Sequence, residues 1–410
     1  MKFELTKVLR KTGSKIAFLI LGAVLILACY MNADVCHVNE QGISEYGHAA
    51  AMKLKKAKKE WAGTLDEEKL RKALSLILQN AKSPEAMSKD LTQQEIAYSR
   101  EQGVGDIRSL LNFSFAVDFS TYDYYRAESI NEEEIGNFYT NRILLLKNWM
   151  DDPASDVYER FTPAEKEYLI RQYQTLEVPF YYDYMAGWTG LAENSVLLIT
   201  FCAIILGYLV SGIFSDEFRW HTDSLFFTTM RGRNSAVKDK IKAGLFLVTV
   251  LYWACFILYA GFTLLYLGAD GANCPVQADF TGWKCFYHMT NLQKCSIIAV
   301  LGYVGNIFFA LLVMWISAKT RSAVFAVTAP FIAIFMPSVL ENLNAPWVTK
   351  LTSVLPDRLL RSGVATAYFD LFEFGGKVTG AVPVIAVLYA LLSLLLIIIC
   401  CRQFSKTQIS

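Results

Sequence analysis

Six runs of apolar residues, each close to the length of a bilayer-crossing helix, dictate most of what this chain can become. They cover residues 16–31, 195–214, 243–267, 296–316, 323–340 and 381–401. Spanning hydrocarbon takes about 20 residues of helix. Within lipid, backbone N–H and C=O groups find partners only in a helix or a closed barrel, and the alternating strands of about ten residues that build a barrel are absent here. The expected class is an all-α membrane protein, with six transmembrane helices and a mostly helical extracellular domain inserted after the first. Although 19% of the residues are charged, they concentrate outside the six runs, so the net charge of +1 says little about partners. Where the charges lie matters more.

Their placement orients the chain. Lys2, Lys7, Arg10, Lys11 and Lys15 precede the first run; Arg219, Arg231, Arg233, Lys238, Lys240 and Lys242 lie between the second and third. Lys319 and Arg321 join the fourth to the fifth, and Arg402 and Lys406 follow the last. All fall on one side if the spans alternate, and the loops 268–295 and 341–380 on the other side are poorer in basic residues. Basic short loops stay cytoplasmic, so both termini are expected inside the cell membrane and the insert 32–193 outside. The basic stretch 53–59 does not overturn this, because long translocated domains largely ignore their own charge. The first run also has features of a cleaved leader, and Ile26-Leu27-Ala28-Cys29 loosely resembles a lipid-attachment site. Leu27 fits that pattern poorly, and the expectation is a retained span.

The insert reads as helical. Leu70, Leu74, Ile77 and Leu78 recur at helical spacing within 67–79, and Ile143, Leu144, Leu145 and Trp149 mark a second helix within 136–150. Pro163 suits the first turn of a third, with Thr162 as its cap. Phe180, Tyr181, Tyr182, Tyr184 and Trp188 gather before the second span, where rings with one polar end favour the headgroup layer.

The segment 215–242 holds the most specific signal. Asp216 and Glu217 would start a short helix whose dipole favours anions. Trp220, Phe227 and Met230 recur along it, Leu225 and Phe226 widen its apolar face, and Gly232 ends it. Such a helix at the inner membrane surface needs a cover for its aromatic side, either lipid or a soluble partner.

These residues resemble the type-two permeases of ATP-binding-cassette (ABC) exporters, in the branch with a large extracellular domain after the first helix. The matching features are the acidic Glu217 past the second span, the aromatic stretch 225–230, Gly232-Arg233 and Lys240. The start, 3–9, resembles an elbow helix; Leu355-Pro356 and the ending 402–409 are similar too. The resemblance implies a permease subunit working as a homodimer or beside a sister permease in the bilayer, with soluble ABC ATPase subunits that carry the ATP and Mg. Glu217, Trp220, Phe226, Phe227, Met230, Arg231 and Arg233 are then the ATPase-coupling residues. It also implies that the outer loop 341–380, which contains a helix-like stretch over 356–368, dips back into the outer leaflet and helps gate an exit; a plain surface loop is the alternative. The division follows: elbow and first span 1–31, extracellular domain 32–193, five-helix domain 194–410. A mechanical transmitter that moves the outer domain without passing cargo, and a membrane-anchored sensor, are the alternatives.

No cofactor is expected in this chain. A phosphate-cradling Gly-x-x-x-x-Gly-Lys-Ser/Thr loop is missing, and Gly375-Gly376-Lys377 is too short for one. Neither His-Glu-x-x-His nor Gly-x-Ser-x-Gly occurs, so the chain is expected not to be an enzyme. No metal ligand set stands out, and no nucleic-acid partner is expected. Cys274, Cys285 and Cys295 share one outer loop and Cys36 lies in the insert. Outside the cell a disulfide among them can persist, with a connectivity that sequence leaves open.

Overall fold

The computed structural model describes residues 1–155, 157–222, 235–340, 346–367 and 369–405. Each apolar run becomes one helix: Thr12–Ala33, Ala186–Arg219, Ser235–Leu267, Asn291–Thr320, Ala323–Leu340 and Ala381–Ser405. All six are long and apolar enough to cross a membrane. Most outrun their apolar cores. Residues 186–193, read from sequence as the end of the insert, are the opening turns of the second helix. The fourth starts one residue after Thr290, whose hydroxyl accepts from Gln293 N–H while the Gln293 side chain accepts from Thr290 N–H. This reciprocal cap satisfies two helix-end groups, and the helix stops at Arg321 in a left-handed conformation (φ 56°).

The second and fourth helices form the centre of the bundle, each 67% buried along its most apolar stretch, against 22–33% for the other four. In lipid, helices associate through close packing rather than water exclusion. Small residues serve that purpose here. A Cβ on Gly302 would lie 2.9 Å from Ile199 of the second helix, and Gly207 faces Val313 of the fourth. Ser317 donates to Ser211 O and accepts from Ser215 N–H, joining the same two helices further along. At the opposite end Asn32 donates to Tyr259 (3.0 Å) and Thr263 (2.8 Å) and accepts from Asn194 (2.6 Å). That knot fastens the first helix to the second and third.

Between the first two spans the chain builds a helical domain from His48–Lys59, Glu67–Ala81, Leu91–Glu101, Gly105–Ser114, Phe138–Asp151 and Pro163–Gln174. Leu70, Leu74 and Ile77 are buried as their spacing requires. Thr162 and Glu165 form a capping box with Pro163 in the first turn. The helix Phe138–Asp151 buries a different face from the one read in sequence: Phe138, Arg142, Leu146 and Met150 are inside, and Leu144 is exposed. Four consecutive apolar residues, 143–146, mark every side of a helix equally, so periodicity could not choose the inner one.

The aromatic group before the second span is not a lipid-facing belt. Phe180, Tyr182, Tyr184 and Trp188 are buried in protein, and of the five only Tyr181 is exposed. Tyr182 pairs across a short antiparallel ladder with Gly63 and donates to Asp106 at 2.8 Å. Phe180 and Tyr182 therefore belong to the domain core with Leu74, Ile107 and Trp283.

Residues read as one helix over 356–368 form two short ones, Asp357–Leu360 and Ser362–Ala367, broken at Arg361 (φ −112°, ψ 37°). Leu359 and Leu360 press on Gly305, midway along the fourth helix, where an added Cβ would lie 2.9 Å from each. This segment therefore re-enters the bundle. It leaves through an antiparallel hairpin, Leu371–Phe374 with Lys377–Gly380. Gly375 (φ 56°) and Gly376 (φ 78°) make its turn, the positive-φ pair that matches strand twist.

Candidate coupling site

Asp216 and Glu217 sit where helix physics disfavours them. The short helix expected to begin near residue 215 does not, because the second span runs on through Arg219. Both carboxylates thus occupy the last turn of a long helix, next to the negative end of its dipole, where a negative charge costs about 0.3–1 kcal/mol. Cations from other elements hold them there.

Glu217 is the hub. Its Oε1 lies 2.7 Å from Lys240 Nζ near the start of the third span, and 2.9 Å from Lys7 Nζ on the elbow helix Lys2–Leu9. Its Oε2 accepts from Thr222 at 2.7 Å. Lys240 also lies 3.1 Å from Glu4 Oε1 and donates to Ile213 O at 2.9 Å. Its side chain is fully buried. Asp216 pairs with Lys11, whose amine lies over Gly212, where a Cβ would stand 2.5 Å from Nζ. The terminal amine of Met1 lies 3.3 Å from Asp239.

Two carboxylates around a buried ammonium satisfy its charge without water, whereas removing one member strands the rest. The consequence is mechanical. The elbow helix, the end of the second span and the start of the third are tied into one body at the two edges of segment 223–234. Aromatic contacts extend it: Phe214 packs 4.6 Å and Phe218 6.1 Å from Phe404 of the sixth helix, and the Arg321 guanidinium lies 4.8 Å from the Phe218 ring.

Of the residues expected to couple to a partner, Glu217 is in this cluster. Trp220 caps the helix end and is 64% exposed, with the Arg219 guanidinium 5.5 Å from its ring. His221 turns the chain with φ 52°. Phe226, Phe227, Met230, Arg231 and Arg233 lie outside the described residues. Sequence reading did not assign the site to Glu4, Lys7 or Lys11. The available signal was charge stranded at the ends of apolar runs, facing charge of the opposite sign in another run.

The possible disulfide among Cys36, Cys274, Cys285 and Cys295 is not formed; all nine cysteines are free. Cys274, Cys285 and Cys295 are buried in roles as small apolar residues. Cys285 Sγ faces Tyr287 O at 3.9 Å, and Cys295 Sγ faces Trp188 O at 3.6 Å. Burial pushes the Cys274 thiol up to about 12 and raises that of Cys285, which disfavours the reactive thiolates. Among the described residues no group of His, Cys, Asp or Glu is arranged to hold a metal ion. Compared with protein-family models, with curated proteins and with solved structures, the chain matches none, so the reading of this site rests on its own geometry.

Proposed function

We propose that the chain is the membrane-spanning permease subunit of an ABC exporter, moving a substrate with work supplied by separate ATPase subunits. The observation that carries this reading is the buried cluster of Lys240, Glu217, Glu4 and Lys7. A push delivered at segment 223–234 moves the second and third spans and the elbow together, because cross-element ion pairs join them. The second span is one of the two central helices, so the push reaches the middle of the bundle. In this reading both termini are cytoplasmic in a bacterial plasma membrane, the helical domain is extracellular, and a second copy or sister permease completes the pathway.

The test is to purify the chain in mild detergent from its native host and ask whether a soluble, nucleotide-hydrolysing protein comes with it. Phe227→Asp is expected to abolish ATPase stimulation by the permease while leaving membrane insertion intact; normal stimulation would refute the docking assignment. A second reading, a mechanical transmitter, is favoured by one observation: Phe286, Phe369 and Leu371 from the bundle's loops share a core with Leu146, Leu169 and Tyr173 of the helical domain. Cargo uptake into sealed vesicles separates the two, since only a permease moves solute.

A further inference from the structure

One lobe of the helical domain grips the re-entrant segment 357–367 at both ends. Before it, Lys350 Nζ lies 3.0 Å from Glu165 Oε1; after it, Arg160 Nη2 lies 2.8 Å from Asp370 Oδ1. The two gripping residues flank the start of the same helix, Pro163–Gln174. Both carboxylate side chains are nearly inaccessible, Glu165 at 1% and Asp370 at 5%. Ion pairs so placed are screened far less than surface ones.

Between the two anchors the segment is packed rather than hung. Phe369 contacts the rings of Phe119 at 5.7 Å and Trp149 at 5.8 Å in the domain, and Phe286 at 5.9 Å in the loop after the third span. That loop is itself held by the domain. Arg142 donates to Cys285 O at 3.0 Å and Tyr173 to Lys284 O at 2.7 Å. Inside the bundle, Leu359 and Leu360 fill the space that Gly305 leaves, and Thr366 is buried. A segment broken into two short helices has little internal stability, since a few turns of helix are marginal alone. Its seat depends on what holds its ends.

We propose that the lobe 138–174 is a clamp: Glu165 and Arg160 keep the re-entrant segment seated in the bundle, and the segment leaves its seat only when the lobe shifts. In the permease reading this makes the domain the handle of the gate. The clamp itself needs no ATPase, so its test is separate from the test of that reading.

The experiment places a reporter cysteine, Thr366→Cys, in the full chain carrying Cys36→Ser, reconstituted in lipid nanodiscs and labelled with a bulky membrane-impermeant maleimide. The same chain without the reporter sets the background. With the clamp intact, labelling is expected to be slow. The double variant Arg160→Gln, Lys350→Gln should label about tenfold faster, two part-exposed charge pairs being lost, and Arg160→Lys, Lys350→Arg should stay slow. Should the double variant aggregate, Lys350→Gln alone decides, its side chain being 46% exposed and open to substitution. An unchanged rate in the neutralised variants overturns the clamp. So does equal acceleration by the charge-keeping pair, which would show that shape rather than charge seats the segment.

Discussion

At each end of the third span a carboxylate is shared by two lysines, and the two arrangements differ most in how deeply one of the lysines is buried. Near its start Glu217 takes Lys240 and Lys7; just past its end Asp270 takes Lys55 and Lys59 of the helix His48–Lys59, the latter at 2.6 Å. At the first site the lysine on the span is fully buried; at the second Lys59 is 42% exposed. Water is an alternative partner at Asp270 and is none at Lys240. The same chemistry therefore locks elements together at one end and only trims their contact at the other.

The sharpest way to break this comparison is Lys240→Met, which leaves Glu217 and Glu4 facing each other with one cation fewer. Removing one partner of a buried pair costs about 3–5 kcal/mol, and thermal unfolding of the purified chain should fall accordingly. Asp270→Asn should cost less, about 2 kcal/mol, because its pairs with Lys55 and Lys59 are only partly buried; a loss as large as that of Lys240→Met would erase the distinction. Salt sharpens it further. At 1 M ionic strength the screening length drops to about 3 Å, so the difference between Asp270→Asn and the parent should shrink while that for Lys240→Met persists.

The smallest effect is with acid. Burial alone would raise the Asp270 carboxyl, but Lys55 and Lys59 outweigh it and hold the group down to about 2. A carboxylate lowered by folding contributes stability above its unfolded value of about 3.9, and that contribution is lost as pH falls through the folded value. The parent and Asp270→Asn should therefore converge in stability between about pH 4 and pH 2; a constant gap across that interval would show that the pair does not set it.

Much of the bundle was legible because apolar length is a local property. The six helices appear where the runs are, and Thr162 and Pro163 open their helix as their chemistry requires. Facing was harder to read. Leu144 looked like core and is outside, while Arg142, one of the inner residues of that helix, stacks 4.1 Å from the Tyr173 ring and 5.0 Å from Trp283. An arginine reads as surface until aromatic partners from remote segments are known. The tyrosines before the second span failed similarly: their amphipathic rings suit a headgroup layer, yet the domain folds over them.

The candidate site divides along the same line. Glu217 stood out as an acidic residue after an apolar run, but its meaning changed once the helix was seen to continue past it. The partners Lys7 and Lys240 are distant in sequence, 210 and 23 residues away, and no periodicity links them.

Sequence alone determined that the chain is a six-helix membrane protein with a helical insert, because an apolar run must satisfy its backbone within itself and no folding partner is needed to say so. Only the tertiary structure decided which face of each helix turns inward, which charges share a buried hub, and how the re-entrant segment is held at both ends. Those outcomes depend on groups brought together from far along the chain, and their energies, desolvation above all, exist only once the surrounding protein has displaced water and lipid.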